Sequence, residues 1–398
     1  MSVFDVLVGQ ADAVTVLRSA AVDAAALVAG SGATSGAMTH AWLFTGPPGS
    51  GRSVAAQALA AALQCTSPDV GCGQCSGCRT VLSRTHPDVR SIVPEGLSIS
   101  VGEMRAVVAQ AARRPVLGRW QVVVIEDADR LTEAASNALL KAVEEPPERT
   151  VFLLCAPSTH PDDVSVTIRS RCRLVLLRIP PAEAVAAVLA GSGVSGEVAA
   201  WAAQAGQGHV GRSRRLALDS DARDRRAAVL SIPSSLTSLG ACLSAADQLV
   251  SAAEAEAAAL SEGRDAAEIE QLQTALGAGA TGRGVATAVR GMAGAVKELE
   301  KRQKSRATRT QRDSLDRALV DLAAYYRDVL LTQSGSPVPA AHPDFASSVA
   351  SVAAALTPAQ ALQRLDAVLD CRAALEQNVK PRIAVEALMA ALRLPQVH

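Results

Sequence analysis

The residues best suited to chemistry are Gly46-Pro47-Pro48-Gly49-Ser50-Gly51-Arg52-Ser53. They fit the phosphate-cradling pattern G-x-x-x-x-G-K-[ST] at every position but one, where Arg52 stands for the lysine. In such a loop the glycines let backbone N–H groups converge on phosphate oxygens, and the helix N-terminus that follows adds positive partial charge. The usual lysine is a compact charge with three rotatable donors, whereas Arg52 carries its charge on a wider, planar fork. Gly46, Gly49, Ser50, Gly51, Arg52 and Ser53 are therefore candidate contacts to ATP or ADP in a frame where hydrolysis is impaired. A Gly/Pro turn with no ligand is the plain alternative.

A second constellation is Glu126-Asp127, at the end of the β-branched run Val122-Val123-Val124-Ile125. Such a run is expected to be a buried parallel strand, and acids at its C-terminal end lie where α/β sheets bind ligands. In a phosphate-loop ATPase the first acid of the pair holds Mg²⁺ and the next activates water; their usual order is Asp-Glu. The inverted order lengthens the metal-side carboxylate and shortens the base, a second departure from a working hydrolase.

The third constellation is Cys65, Cys72, Cys75 and Cys78, spaced C-x6-C-x2-C-x2-C. Thiolates at this spacing can converge tetrahedrally on Zn²⁺, with Gly71, Gly73 and Gly77 supplying tight turns. Four sulfurs leave no open position, so the site is expected to be structural. A redox C-x-x-C pair is the alternative, although it needs only two of the four. His86, followed by Pro87, is expected to be a turn residue rather than a ligand.

These residues need a scaffold. Trp42 to Thr45 is expected to be a strand leading into the phosphate loop, and Val54 to Leu63 an alanine-rich helix leaving it. Before them, Phe4 to Leu27 carries an amphipathic pattern after Gly9-Gln10. Further strands are expected at Val89 to Val93, Val151 to Cys155 and Leu174 to Leu177, and helices at Val101 to Ala112 and from Thr132 to the prolines Pro146 and Pro147. Cys155 and Cys172 sit in apolar stretches and are expected to be buried small hydrophobes. Arg105, with Arg113 and Arg114, is a candidate contact to a nucleic-acid backbone; solvated helix charge is the alternative.

Beyond Pro180, short helices are expected at Pro181 to Leu189, Ser195 to Ala205 and Gly208 to Leu216, and the rest of the chain is expected to be helical. Gly263, Gly277, Gly279, Gly282 and Gly284 suggest a flexible insertion near 261–291. Residues 297–317 are strongly basic and suit either a DNA-binding strip or a solvated helix face. Val385, Leu388, Met389 and Leu392 form an apolar stripe at helical spacing.

The whole chain bounds these readings. At 398 residues, two or three domains are expected. Lys and Arg (39) balance Asp and Glu (39), so no global field marks a nucleic-acid binder and any DNA contact must be local. Hydrophobic residues make up 49% of the chain but aromatics only 2%, so the cores are expected to pack small aliphatics. No apolar run approaches bilayer length, and no basic-then-apolar leader opens the chain; no membrane association and a cytoplasmic location are expected.

Taken in order, Gly-Pro-Pro-Gly-Ser-Gly, the four cysteines, Asn137-Ala138-Leu139-Leu140-Lys141 with Glu144-Glu145-Pro146-Pro147, and Ser170-Arg171-Cys172 resemble the clamp-loader AAA+ family of the bacterial DNA polymerase III holoenzyme. The resemblance covers residues 1 to about 215. It implies an α/β fold: an AAA+ P-loop parallel-sheet domain at 1–179 with a zinc module at 65–78, a small helical lid at 180–222, and an all-α collar at 223–398. The altered loop and acid pair resemble the delta-prime type more than the gamma/tau ATPases. Active relatives carry an arginine in a Gly-x-x-Arg stretch; here Gly211 takes that place and Arg212 follows, a shift of about 100° around a helix. The resemblance implies that Arg171 acts in trans, as an arginine finger on the ATP of a neighbouring subunit. A salt bridge within its own domain is the alternative role, and Arg169 and Arg173, which flank it, are expected to be surface charges. Implied partners are the gamma/tau and delta subunits, the sliding clamp through the assembly, and primed DNA. An autonomous gamma/tau-type ATPase and a zinc-dependent nucleic-acid module are the competing readings.

Overall fold

The structure, a computed structural model, describes residues 2–31, 35–276 and 285–394. The chain divides into two compact units, Met1–Leu218 and Asp219–His398.

In the first unit, elements follow in the order α1 (Ala11–Ala29), β1 (Ala41–Thr45), α2 (Arg52–Leu63), α3 (Ser76–Leu82), β2 (Val89–Ile92), α4 (Val101–Ala111), β3 (Gln121–Ile125), α5 (Glu133–Glu144), β4 (Thr150–Ala156), α6 (Val166–Arg169) and β5 (Arg173–Leu176). The strands form one sheet in the order β2-β3-β4-β1-β5, with every pairing parallel. Alternation along the strands splits the core into two layers. Trp42, Phe44, Val122, Val124 and Leu153 pack with α1 and α2, while Leu43, Val123, Ile125, Phe152 and Leu154 pack with α4 and α5. Helix α2 is buried around most of its circumference, because its run of alanines lets neighbours approach closely.

Helix boundaries follow their caps. Ser100 and Glu103 form a reciprocal capping box that starts α4, and Thr132 accepts from the Ala135 N–H to start α5. Three helices end the unit, α7 (Ala182–Gly191), α8 (Gly196–Ala205) and α9 (Val210–Leu218). Ser195 holds the N-cap position of α8 but makes no side-chain cap bond there.

Among the described residues, the second unit is helical: α10 (Ser220–Ser235), α11 (Leu239–Ser261), α12 (Arg264–Ala275), α13 (Val285–Ser334), α14 (Ala346–Ala355), α15 (Pro358–Glu376) and α16 (Pro381–Ala391). Its core joins Leu315, Leu319, Leu322, Tyr325 and Tyr326 of α13 to the expected stripe Val385, Leu388, Met389 and Leu392. The glycine-based reading of 261–291 as one flexible insertion needs correction, since Arg264–Ala275 is a helix. No glycine interrupts the chain between Gly263 and Gly277. Residues 277–284 of that stretch lie outside the described residues.

Several arginines in the basic stretch 297–317 are tied internally, among them Arg306 to Asp265 (2.7 Å) and Glu268 (2.6 Å), Arg312 to the Leu375 carbonyl (2.9 Å) and Asn378 (2.8 Å), and Arg317 to Glu256 (3.0 Å). A second polar cluster of this unit is built on the buried Arg226. Arg226 forks onto both Asp344 oxygens (2.6 and 3.0 Å) and reaches His342 Nδ1 at 2.8 Å. Among the described residues, no single helix is long and apolar enough to cross a membrane.

Candidate functional site

The phosphate loop leaves the C-terminal end of β1, and Glu126-Asp127 leaves the C-terminal end of β3, with β4 between them in the sheet. The parallel topology thus gathers the two constellations on one rim. Arg52, Glu126 and Asp127 all act electrostatically on Cys155 at the end of β4, which burial pushes well up from its ordinary thiol range.

The loop's backbone has the shape of an anion cradle. Gly49 and Gly51 have φ of 90° and 88°, a left-handed backbone open to glycine at little cost. A side chain at Gly46 would collide with the Leu177 carbonyl, and one at Gly49 would fall 2.8 Å from His209 Cβ. Ser50 Oγ is buried without a hydrogen-bond partner, and Gly51 caps α2 with no side-chain bond. Gln10 fastens the loop from outside, donating to the Ser50 carbonyl (3.3 Å) and the Arg178 carbonyl (2.6 Å).

The cationic parts of the site are turned inward. Arg52 Nη1 donates to the Gly46 carbonyl at 2.8 Å, so its guanidinium closes on the loop itself. Glu126 forms an ion pair with Arg84 at 2.9 Å. Asp127 has φ 57°, a left-handed conformation rare for a non-glycine residue. Burial, reinforced by Asp127, raises the carboxyl of Asp129 above its ordinary value. The backbone cradle fits a polyphosphate, but Glu126 does not fit as a Mg²⁺ ligand while a guanidinium holds it.

The four cysteines converge. Their sulfurs all lie within 4.8 Å of one another, with Cys65–Cys72 at 3.7 Å and Cys75–Cys65 at 3.9 Å. Tetrahedral Zn–S bonds would set sulfurs about 3.8 Å apart, so the cluster can hold a metal ion. Burial raises the Cys75 thiol, but the N–H groups of Cys78 and Thr66 pull it down to about 6 overall. The Gln74 and Cys75 N–H groups likewise lower Cys72, whereas burial raises Cys78. The chain's first residues pack on this module: the Val3 N–H donates to the Gly71 carbonyl at 2.8 Å. Arg119 donates to the Cys65 carbonyl at 2.7 Å. His86 is in a turn, as expected, but it is also buried, and its Nδ1 accepts from the Asp88 N–H at 3.1 Å.

Arg171 lies elsewhere. It precedes β5, whose Arg173 pairs with Trp42 of the parallel strand β1, while the loop begins at Gly46 beyond the other end of that strand. Four residues of strand separate the two by about 13 Å. Arg171 is exposed and pairs with Glu144 at 2.6 Å, and its Nη1 reaches the Thr167 carbonyl at 2.9 Å. Arg169 is a surface residue, as expected for both neighbours of Arg171. Arg173 is not; it is half-buried, stacks over the Trp42 ring 5.1 Å from its centroid and donates to the Ala37 carbonyl. Cys155 is buried as expected, whereas Cys172 is only half-buried.

Arg105, Arg113 and Arg114 are exposed on or after α4. The Arg212 N–H lies 3.3 Å from His209 Nδ1. Sequence reasoning missed Gln10, Arg84 and His209 because none belongs to a local motif. The one signal for Gln10 was the Gly9-Gln10 break before the first helix.

Residues 26–181 match the family described as DNA polymerase III, delta subunit. The DNA polymerase III subunit delta' of Escherichia coli is 40% identical over 146 residues, 36% of this chain and 43% of that protein. The gamma/tau subunit of Mycobacterium tuberculosis is 34% identical over 158 residues, 39% of this chain and 27% of its own. The matched stretch thus spans less than half the length of either relative. Among solved structures, a DNA polymerase III gamma subunit-related protein of Thermotoga maritima aligns at TM-score 0.35 and 16% identity, covering 88% of this chain and 93% of the other. The first unit is thus a five-stranded parallel sheet with flanking helices, and its residues 26–181, under half of the chain, are similar to the delta family of DNA polymerase III.

Proposed function

We propose that this chain is a delta-prime-type subunit of the DNA polymerase III clamp loader, which turns over little or no ATP itself and lends Arg171 to the ATP site of a neighbouring gamma/tau subunit. With gamma/tau and delta partners it would help open the sliding clamp and load it on primed DNA. The observation that carries this reading is the placement of Arg171, exposed and at the opposite end of the sheet from the chain's own phosphate loop. A guanidinium there is available to phosphate on another subunit, where its planar fork can meet two oxygens at once. The bond from Arg52 to Gly46 supports the lack of turnover, because that charge is not aimed at a γ-phosphate. The metal suited to the four thiolates is a structural Zn²⁺.

The identity with the Mycobacterium tuberculosis gamma/tau subunit favours a second reading, an autonomous ATPase. Steady-state ATP hydrolysis decides between them. The isolated chain is expected to be silent while the reconstituted assembly is active; turnover by the isolated chain at the assembly's rate would replace the first reading with the second.

A further inference from the structure

In phosphate-loop ATPases the acid after the third strand holds a divalent cation that bridges to the nucleotide. Here Glu126 stands at that position, and Arg84 pairs with it at 2.9 Å. The Glu126 side chain is only 15% exposed, so little of its carboxylate remains for a second cation. Mg²⁺ demands near-octahedral oxygen ligands and keeps several waters, which a guanidinium on the same carboxylate excludes by volume and by like charge.

Arg84 is held in this place by its backbone. It lies just past α3 with φ 59°, a left-handed conformation that disfavours a residue with a Cβ. Its own N–H donates to the Val81 carbonyl at 2.9 Å. Helix α3 in turn is capped by Cys75 and contains Cys78, so the four-thiol module fixes the stem from which Arg84 projects. The anion half of the cradle is intact beside it: Gly49 and Gly51 keep the left-handed backbone, and the buried Ser50 Oγ has no partner.

We propose that Arg84 stands in for the divalent cation at Glu126, so that this cradle binds the polyphosphate of a nucleoside diphosphate without metal. The positive charge that balances the ligand is then built into the chain and projects from the cysteine module. This inference is independent of what Arg171 does.

The test is calorimetric titration of the full chain with ADP, in metal-depleted buffer with and without millimolar MgCl₂ and with no chelator that would strip the thiolate site. Wild type is expected to bind ADP with an affinity that Mg²⁺ changes by less than about twofold. Arg84→Gly suits the left-handed backbone and preserves the fold; in it, Mg²⁺ is expected to strengthen binding by about tenfold. Adding Glu126→Gln to that variant is expected to abolish the gain. The proposal is overturned if wild type needs Mg²⁺, if Arg84→Gly stays indifferent to it, if the double variant keeps the gain, or if neither wild type nor Arg84→Gly binds ADP.

Discussion

Arg171 and Glu144 are joined by an ion pair of 2.6 Å, with 36% and 42% of their side chains exposed. An exposed pair of this kind contributes only about 0 to 1 kcal/mol. A neighbouring subunit's phosphate can therefore capture Arg171 at small cost. In the reconstituted assembly, Arg171→Ala is expected to lower the ATPase rate by roughly 10³-fold or more, whereas Glu144→Ala changes it by only a few-fold. Equal effects of the two substitutions would remove the trans role from Arg171.

The bond between Arg52 and the Gly46 carbonyl predicts the effect of restoring the usual residue. A lysine ammonium is compact and strongly hydrated, and its stem can swing toward a phosphate. Arg52→Lys is expected to tighten ADP binding by about tenfold, yet to leave ATP turnover by the isolated chain near background, because the inverted acids Glu126 and Asp127 remain. Turnover rising to the assembly's rate would locate the whole defect in the loop.

The cysteine module predicts a metal-dependent stability. Metal analysis under reducing conditions is expected to find about one zinc ion per chain, and Cys75→Ser to lose it. Val3 packs on Gly71 and Arg119 binds the Cys65 carbonyl, so loss of the metal is expected to loosen the chain's first residues and lower the melting temperature of the first unit. An unchanged melting temperature with the metal gone would make the site incidental to folding.

Asp88 predicts a local weakness. Buried, it accepts from the N–H groups of Val116 (2.7 Å), Leu117 (2.8 Å) and Gly118, and these bonds hold its carboxyl below the usual range despite burial. Asp88→Ala leaves three donors without their acceptor and is expected to cost about 2 to 4 kcal/mol in denaturant unfolding of the first unit. The wild-type contribution is present above the unfolded carboxyl pKa of about 3.9 and is lost as pH falls through the lower, folded value.

His342 predicts the pH response of the second unit. Its Nδ1 faces a guanidinium, which has no acceptor, so Nδ1 accepts from Arg226 and Nε2–H donates to the Asp321 carbonyl at 3.2 Å. Burial, then Arg226, holds its pKa below the ordinary value, against the opposing pull of Asp321 and Asp328. The folded state therefore keeps the ring neutral where the unfolded state takes up a proton. Stability is full above about pH 6.5 and falls as pH drops below it, by at most about 1.4 kcal/mol per pH unit for this one group. Calorimetric melts from neutral to mildly acid pH are expected to show that loss, and His342→Gln to flatten it.

Most of the scaffold was legible in the sequence, because its signals are local. The β-branched run Val122 to Ile125 is a buried strand, and Thr132 caps the helix that ends before Pro146. The four cysteines meet because short glycine turns leave them few other choices. Glycine counting failed at Arg264–Ala275, where the glycines flank a helix rather than interrupt it. Arg173 was misjudged because an arginine beside two others resembles surface charge until Trp42 is set against it.

By itself, the sequence determined that this chain carries a phosphate loop with an arginine in it, an inverted acid pair, a closed set of thiols and a Ser-Arg-Cys element. It could not assign the ion pairs. Arg84 and Glu126 are 42 residues apart, and Arg171 and Glu144 are 27 apart. Attraction between charges falls with separation and with solvent screening, so which arginine neutralises which acid depends on distances set by strand order and by the turns after α3 and before β5. The tertiary structure alone decided that Arg84 holds the acid on the rim that carries the phosphate loop and that Arg171 stands at the far end of the sheet.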